Sequence, residues 1–597
     1  MNWLRKSLSD RSVQFYLLAV ATVVVLLSLV NCCFSASYHD SMLSVYGMVH
    51  FALIHLGDAV LLLLPYWLLP MRWRRPWAWI VVIVVTIWAF AQILYNISYQ
   101  DIMPYSSFLF TDNVGDVLVG SVIGLIHASA LAALVPVLVL WLVTRRRYAT
   151  VAQRPLSPGR KWMAAVVSIA VLLVTQTVSF AGLALHDGCD SWGEKLQDVY
   201  TRFMGRYKAY YINNGLTAYT IYSAVTSVNR PMTDEERVMV DAFVAEEVPH
   251  YTDNPYAVGQ QPNLVLVIVE SLNAWAVNLK IDGREVTPVL NSIAADTSSI
   301  VALKMQSMIK NGRSSDGKFI YDTGLLSTLD ESVAMNYGDA DYPSLVKALK
   351  GYRSMEICTD APRLWNIEAM SRSYGFQHLY YQPQFKEKLA ANGYRDDELI
   401  FAEAAKIVTS TRQPFFAQIV TATMHSPYNS PAVPETWISH TKAYTPEVRN
   451  YLERVAYFDR HLGVFIDKLR QAGVLDHTVI AIASDHTDFV DDAPSGRPSL
   501  DHSGNNCALL IKNAGHGLKI TDVIGQVDVY PTLLDIMGAN SYQWKGLGYS
   551  LLRKRVTSVA VNPDEVVGNK TAAEVPHQRN AWAVSALMIK KKHLPIK

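Results

Sequence analysis

Five long apolar runs crowd into the first 187 residues of the 597-residue chain, at 13–29, 45–69, 77–95, 117–143 and 163–185. A helix needs about 20 mostly apolar residues to cross a bilayer, and each run is close to that length. Later apolar runs are short and interrupted by charges, which is typical of a water-soluble core. The sequence therefore predicts an all-α, five-helix transmembrane domain followed by a globular part.

Basic residues lie on alternate loops of this first region. They precede the first run and follow the second and fourth runs, whereas the loop around Asp40 and residues 101–116 contain no Lys or Arg. By the positive-inside rule the N-terminus is cytoplasmic, and five crossings place the rest of the chain outside the cytoplasmic (inner) membrane, in a periplasmic or extracellular space. The charged start of the first run is also typical of a signal peptide, but no small-residue cleavage site follows, so we interpret the run as a retained anchor.

Ionisable side chains also occur inside the second run, at His50, His55 and Asp58. Such groups are costly in a membrane, and two readings stay open: a polar path or head-group site, or an interhelical hydrogen bond.

Charge and cysteine content exclude other classes of protein. The net charge is +1 and the basic residues of the first region lie in short loops, so no nucleic-acid partner is expected. The five cysteines lack CxxC spacing and indicate neither a zinc cluster nor a disulfide framework.

The second half of the chain has the pattern of an α/β domain. Residues 263–270 form an apolar run that ends in Glu270, and further buried strands are expected at 415–420, 478–483 and 506–511, with helices at 342–349, 396–409 and 447–472. This alternation predicts a mostly parallel sheet covered on both faces, whose ligands bind at the carboxyl ends of the strands. We expect a transmembrane domain at 1–187, a juxtamembrane helical linker at 188–255, the α/β domain at 256–555 and a C-terminal tail at 556–597.

Metal-ligating side chains follow two of these strands. Asp485 and His486 come directly after the strand at 478–483, and Glu270 ends another strand at the same edge of the sheet. Carboxylate and imidazole ligands suit a divalent cation. For Asp485 and His486 alone, an ordinary strand-to-loop turn is the alternative reading.

Hydroxyl groups bracketed by glycines lie at 312–317, ahead of a helix that we expect to begin near Lys318. A hydroxyl there can be activated by a metal and by backbone N–H groups at a helix start. The alternative is that Ser315 or Asp316 is only the N-cap.

In this order, Glu270-Ser271-Leu272, Thr287-Pro288, Gly312 to Asp316, Ser484-Asp485-His486 and residues 525–534 resemble the lipoteichoic acid synthase family. That family combines five membrane spans with an extracytoplasmic sulfatase-like domain of the alkaline phosphatase superfamily. The resemblance implies that Glu270, Ser314, Asp485 and His486 hold one divalent ion, usually manganese, with magnesium or zinc as alternatives. It also implies that Ser314 is the nucleophile, where family members often carry threonine.

The resemblance extends to the substrate side. His425 matches a histidine that contacts substrate phosphate or transfers a proton, and Trp365 matches an aromatic residue that lines the head-group pocket. Arg313 could clamp phosphate or be a solvated surface arginine, and His502 is a further candidate in the loop after the Asp-His motif.

The sequence departs from the family pattern in this pocket. Polyglycerolphosphate-forming members carry an arginine and a histidine where this chain has Ile367 and, approximately, Cys358. Either Arg363 replaces the missing charge, or the pocket accepts another head group such as phosphoethanolamine.

The function implied is the transfer of a phosphoglycerol-type group from a phospholipid in the bilayer, phosphatidylglycerol, through a Ser-linked intermediate to an envelope glycan, glycolipid or polymer. A phosphoethanolamine transferase using phosphatidylethanolamine is the first alternative, although such enzymes typically carry several disulfides. A sulfatase-like hydrolase is the second, but no [CS]-x-P-x-R motif surrounds Ser314. A catalytically silent head-group-binding protein is the third, and the intact set of metal and nucleophile residues argues against it.

Overall fold

A computed structural model describes residues 11–36, 45–99, 102–103, 128–147, 157–186, 207–226, 231–310, 312–329, 331–362, 364–389, 396–425, 428, 430–487, 506–553, 558–563 and 565–594. The chain divides into two compact units, Met1–Asn229 and Arg230–Lys597.

The first unit is helical. Its helices are α1 (Arg11–Ala36), α2 (Val45–Leu62), α3 (Pro65–Leu68), α4 (Met71–Tyr99), α5 (Ala128–Leu131), α6 (Leu134–Arg147), α7 (Pro158–His186) and α8 (Tyr207–Thr226). Four segments are long and apolar enough to cross a membrane: Arg11–Phe34, Gly47–Leu68, Met71–Asn96 and Lys161–Val178. These match four of the five predicted runs. The fourth run corresponds in part to the shorter apolar helix Leu134–Arg145, and its residues 117–127 lie outside the described part of the chain.

Helix α8, which falls in the segment predicted as a linker, belongs to this first unit and is broken at Gly215, where φ is 78°. The carboxylate of Asp58 accepts hydrogen bonds from the backbone N–H groups of Leu216 and Thr217, both at 2.9 Å, and pairs with Nδ1 of His55 at 2.9 Å. Asp58 thus satisfies the N–H groups that the break exposes. This geometry favours the interhelical hydrogen-bond reading of the polar residues in the second run.

The second unit is built on one large sheet, and the chain also forms two small antiparallel hairpins. Its strands are β1 (Asn263–Val269), β2 (Lys280–Ile281), β3 (Arg284–Glu285), β4 (Ile300–Gln306), β5 (Arg353–Ile357), β6 (His378–Tyr380), β7 (Phe415–Val420), β8 (Thr478–Ser484), β9 (Asn506–Lys512), β10 (Leu518–Ile520), β11 (Ile524–Gly525), β12 (Val559–Val561) and β13 (Val566–Gly568). The large sheet has the order β10-β4-β9-β8-β1-β7-β5-β6, with β11 also paired to β4. All its pairs are parallel except those that β9 makes with β4 and β8, so the predicted mostly parallel sheet is confirmed.

Helices and hydrophobic clusters cover both faces of this sheet. The helices are α9 (Asp234–Glu247), α10 (Pro288–Ala295), α11 (Ser314–Thr323), α12 (Val333–Asn336), α13 (Leu345–Ala348), α14 (Ile367–Tyr374), α15 (Gln382–Leu389), α16 (Asp397–Ser410), α17 (Pro446–Gln471), α18 (Val529–Ile536) and α19 (Glu574–Lys590). Alternate residues of β1 enter opposite clusters, with Leu264 and Leu266 on one face and Val265 and Val267 on the other. A strand buried on both faces has the continuous apolar sequence that marked β1 from the start.

Two segments differ from expectation. Helix α11 begins at Ser314 and not near Lys318, and Arg313 occupies the N-cap position with φ at 47°, so neither Ser315 nor Asp316 is the N-cap. The segment at 556–597 contains the β12–β13 hairpin and α19, whose Trp582 and Met588 are buried in the same hydrophobic cluster as β1.

Candidate active site

Three potential metal ligands meet at the carboxyl ends of the neighbouring strands β1 and β8. One ligand atom of each of Glu270, Asp485 and His486 lies within 4.8 Å of the others. Nε2 of His486 is 3.8 Å from Oε1 of Glu270 and 3.7 Å from Oδ2 of Asp485. All three side chains are buried. The structure therefore brings the predicted carboxylates and imidazole together in one cluster.

Hydrogen bonds orient each of these ligands. Nδ1 of His486 lies 3.0 Å from the carbonyl oxygen of Thr487, which accepts its hydrogen bond, and this contact turns Nε2 toward the cluster. Oδ1 of Asp485 accepts from the backbone N–H groups of Ser271, at 2.8 Å, and His486, at 2.7 Å. The hydroxyl of Ser271 donates to Oε1 of Glu270 at 2.7 Å. A divalent cation such as Mn²⁺, Mg²⁺ or Zn²⁺ fits this set of oxygen and nitrogen donors.

Electrostatics at the cluster also fit a cation. Burial raises the pKa of Asp485, and the neighbouring charge of Glu270 raises it further. Burial raises the pKa of Glu270 as well, but the charges of His425 and His486, together with hydrogen bonds from Ser271 and Ser314, outweigh it and hold the pKa of Glu270 below its ordinary value. Two buried carboxylates that repel each other are stabilised by a positive charge between them.

Ser314 lies against this cluster as the first residue of α11. Its Oγ is 3.2 Å from Oε2 of Glu270 and 3.2 Å from Nε2 of His486. Asp316 folds the preceding loop, because its Oδ2 accepts from the backbone N–H groups of Lys310 at 3.0 Å and Gly312 at 2.9 Å. The hydroxyl is therefore held beside the same donors that would bind a metal.

Gly317 allows the first turn of α11 to approach the loop that carries the ligands. A Cβ atom on Gly317 would lie 2.9 Å from the carbonyl carbon of Asp485 and closer still to its oxygen. Helix and loop are thus in direct backbone contact here.

The structure describes three of the five predicted substrate-side residues. His425 follows β7, its side chain is exposed, and its charge acts on Glu270. Trp365 is half-buried in a short helical turn, Leu364–Asn366, on the chain segment that follows β5. Arg313 is adjacent to Ser314. Arg363 and His502 lie outside the described residues.

Supporting residues that the sequence did not single out also shape the site. Nε2 of Gln526 donates to the carbonyl oxygen of Asp485 at 2.7 Å, and the hydroxyl of Tyr321 donates to the carbonyl oxygen of Ser484 at 2.5 Å. Thr421 accepts from the backbone N–H of Glu270 at 3.0 Å. Gln526 lies in the 525–534 motif, so its position in the sequence could have marked it as a site residue. Nothing in the local sequence marks Tyr321 or Thr421, whose contacts depend on the tertiary structure.

Comparison with known families matches nearly the whole chain in two parts. The model of the lipoteichoic acid synthase N-terminal domain matches residues 1–236, and the sulfatase model matches residues 262–539.

Individual relatives of the chain include two lipoteichoic acid synthases. Lipoteichoic acid synthase 1 of Bacillus subtilis (strain 168) is 26% identical over 366 residues, which are 57% of this chain and 56% of that protein. Lipoteichoic acid synthase of Staphylococcus aureus (strain USA300) is 24% identical over 360 residues, 56% of this chain and 55% of that protein. The match thus covers about half the length of these curated relatives.

A solved structure shares the fold of both parts. The integral membrane protein lipooligosaccharide phosphoethanolamine transferase A from Neisseria meningitidis aligns over 88% of this chain and 96% of its own, with a TM-score of 0.51 and 14% identity.

Proposed function

Because the chain belongs to the lipoteichoic acid synthase-like family of the alkaline phosphatase superfamily, we propose that it transfers a phosphoglycerol-type group from phosphatidylglycerol to a hydroxyl of an envelope glycan, glycolipid or polymer. The observation that carries this proposal is the position of Ser314, whose Oγ lies 3.2 Å from both Glu270 and His486. A hydroxyl held among metal-ligating groups is the arrangement expected of an activated nucleophile.

The proposed reaction has two steps. In the first, the hydroxyl of Ser314 gives its proton to a base as Oγ attacks the phosphorus of the donor, the bond from phosphorus to the diacylglycerol oxygen breaks, and that oxygen receives a proton. In the second, a hydroxyl of the acceptor gives its proton to a base as it attacks the same phosphorus, the bond from phosphorus to Oγ breaks, and Oγ takes up a proton to restore the serine hydroxyl. His425 is proposed as the group that gives and takes these protons, because it follows β7, the strand beside β1, and its charge acts on Glu270.

Glu270, Ser314, Asp485 and His486 would hold the divalent ion, for which we propose Mn²⁺. Such an ion supplies Lewis-acid stabilisation of the charge on the phosphoryl group and favours ionisation of a nearby hydroxyl. The residues themselves orient the hydroxyl and exclude water from its buried side.

The four membrane-spanning candidates support a membrane location. We propose five crossings, a cytoplasmic N-terminus and an extracytoplasmic catalytic domain, because this topology exposes the site to a lipid donor and an envelope acceptor on the same side.

The test uses the full-length protein in detergent micelles with Mn²⁺ and fluorescent phosphatidylglycerol or phosphatidylethanolamine, and measures release of diacylglycerol. Release from phosphatidylglycerol is expected for the unchanged protein and is lost in Ser314→Ala. The matched control is Ser315→Ala, whose hydroxyl donates to the carbonyl of Gly312 at 2.6 Å, and which should retain most of the activity. Release from phosphatidylethanolamine alone would replace the proposed donor, and release that survives in Ser314→Ala would contradict the proposed nucleophile.

A further inference from the structure

The buried face of α11 carries two polar side chains one turn apart, Lys318 and Asp322. Nζ of Lys318 lies 2.9 Å from Oε2 of Glu356 and 3.3 Å from Oγ of Ser371. Oδ1 of Asp322 accepts a hydrogen bond from Nε2 of Gln418 at 2.6 Å. We call these five buried side chains the polar layer. It joins the helix that begins with Ser314 to the sheet beneath it.

In this layer the spacing of the polar residues on α11 matches the spacing of those on β5 and β7. Residues at i and i+4 lie on one face of a helix, as Lys318 and Asp322 do. Glu356 in β5 and Gln418 in β7 are direct partners in the parallel pairing of the two strands and lie on the same face. Each polar residue of the helix therefore meets a polar residue of a different strand.

These strands lead to the two substrate-side residues. The chain after β5 leads to Trp365, and Ser371 lies in α14, the helix that begins directly after Trp365 and Asn366. The chain after β7 leads to His425. Lys318 consequently bonds to elements on both sides of the segment that carries Trp365.

That segment needs to be held. Trp365 and Asn366 both have left-handed backbone conformations, with φ of 48° and 50°, which non-glycine residues rarely adopt and which persist only when their surroundings enforce them. On one side Nδ2 of Asn366 donates to the carbonyl oxygen of Ala334 at 3.0 Å. On the buried side Ser371 of α14 contacts Lys318 and also donates a short hydrogen bond to Glu356.

Stability alone does not account for a buried ion pair here, since apolar residues of similar volume often pack as well or better. We propose that Lys318 is a positioning residue, which through Glu356 and Ser371 fixes the segment carrying Trp365 relative to Ser314. This inference rests on the proposed function, because Lys318 would set the spacing between the nucleophile Ser314 and Trp365, the residue proposed to line the head-group pocket.

The experiment uses the full-length protein with Lys318→Met, Glu356→Met and the double variant. Each single variant leaves one buried partner unmatched and should lower the Tm, whereas the double variant replaces the pair by apolar side chains and should recover most of that loss. The matched control is Lys406→Met, which removes an exposed lysine paired with Glu403 at 2.7 Å.

Two readouts are taken on the same preparations. Hydrogen–deuterium exchange at Leu364–Asn366 and in α14 should be about tenfold faster in the double variant despite its recovered Tm, while exchange in β8 stays unchanged. For diacylglycerol release, kcat should fall by about tenfold or more, because a displaced wall misorients the bound donor relative to Ser314. Manganese affinity should not change, since none of the substituted residues is a ligand.

The outcomes distinguish failure of the positioning role of Lys318 from failure of the proposed transferase function. Unchanged exchange in the double variant, or faster exchange with unchanged kcat, overturns the positioning role of Lys318. A protein inactive on every donor overturns the proposed function, and the exchange result then decides by itself whether Lys318 holds the segment.

Discussion

Replacing Gly317 with alanine sets helix propensity against close packing at the site. Alanine in a helix interior is normally more stable than glycine by about 1 kcal/mol. At Gly317, however, the new Cβ would lie 2.9 Å from the carbonyl carbon and 3.0 Å from the Cα of Asp485, and both are backbone atoms of the ligand loop. Carbon atoms pack at about 3.5–4.0 Å, so helix and loop must separate by about 1 Å.

The separation has two consequences. Overpacking of this kind costs about 1–3 kcal/mol, which outweighs the gain in propensity, so the Tm of Gly317→Ala should fall and not rise. Ser314 lies one turn earlier on the same helix and moves with it, away from Asp485 and His486. A displacement of about 1 Å at a reacting group costs roughly 100-fold in rate.

The assay combines thermal unfolding, manganese titration and diacylglycerol release on the full-length protein. The matched control is Gly159→Ala in α7, a helix glycine whose Cβ would have nothing within 4 Å, so its replacement should not lower the Tm and should leave manganese affinity and turnover unchanged. A Gly317→Ala variant with higher Tm, unchanged manganese affinity and unchanged turnover would refute the packing argument.

Further substitutions and conditions give three more tests. Burial raises the pKa of Asp322 from 3.8 to about 7, so its contribution to stability is present at acid pH and lost as the pH rises through about 7. Asp322→Asn should therefore raise the Tm at pH 8, by an amount corresponding to at most roughly 4 kcal/mol of stability, and should have little effect on the Tm at pH 4. An equal effect at both pH values would contradict the raised pKa of Asp322. In the membrane unit, Asp58→Ala removes the acceptor of two backbone N–H groups, each worth about 1–3 kcal/mol when left unsatisfied, and should speed hydrogen exchange at Leu216 and Thr217, whereas Thr177→Ala at an exposed position should not. Mn²⁺ at about 100 times its Kd should stabilise the protein by about 2.7 kcal/mol, and EDTA should reverse this stabilisation. A Glu270→Gln variant that was stabilised by Mn²⁺ to the same extent would exclude Glu270 as a ligand.

Much of the second unit's framework could be predicted because four of its strands have distinctive sequences. Strands β1, β7, β8 and β9 are mostly apolar segments, and their predicted bounds agree with the structure to within about one residue. The cluster of Glu270, Asp485 and His486 then followed, since the ends of adjacent parallel strands meet at one edge of the sheet.

Other strands were missed because their sequences are mixed. Strand β4 contains Lys304, and β5 contains Ser354 and Glu356, which interrupt the apolar pattern. Glu356 is satisfied by Lys318, a residue 38 positions away, and a lysine in a helix is normally read as solvent-exposed. Local sequence carries no signal for such a pairing.

The start of α11 was also misplaced, for a related reason. Arg313 at the N-cap has a φ of 47°, a conformation that local propensity does not favour. The loop before it is held by hydrogen bonds from the backbone N–H groups of Lys310 and Gly312 to Asp316. The helix therefore begins four residues earlier than expected, and this shift is what places Ser314 at its first position.

The most direct test of the central claim is peptide mass spectrometry of the full-length protein after brief incubation with Mn²⁺ and phosphatidylglycerol and rapid acid quenching. We expect a phosphoglycerol group attached to Ser314, absent from the Ser314→Ala variant and lost when the acceptor is added. Diacylglycerol release without any adduct on Ser314, or an adduct on another residue, would contradict the Ser314-linked intermediate.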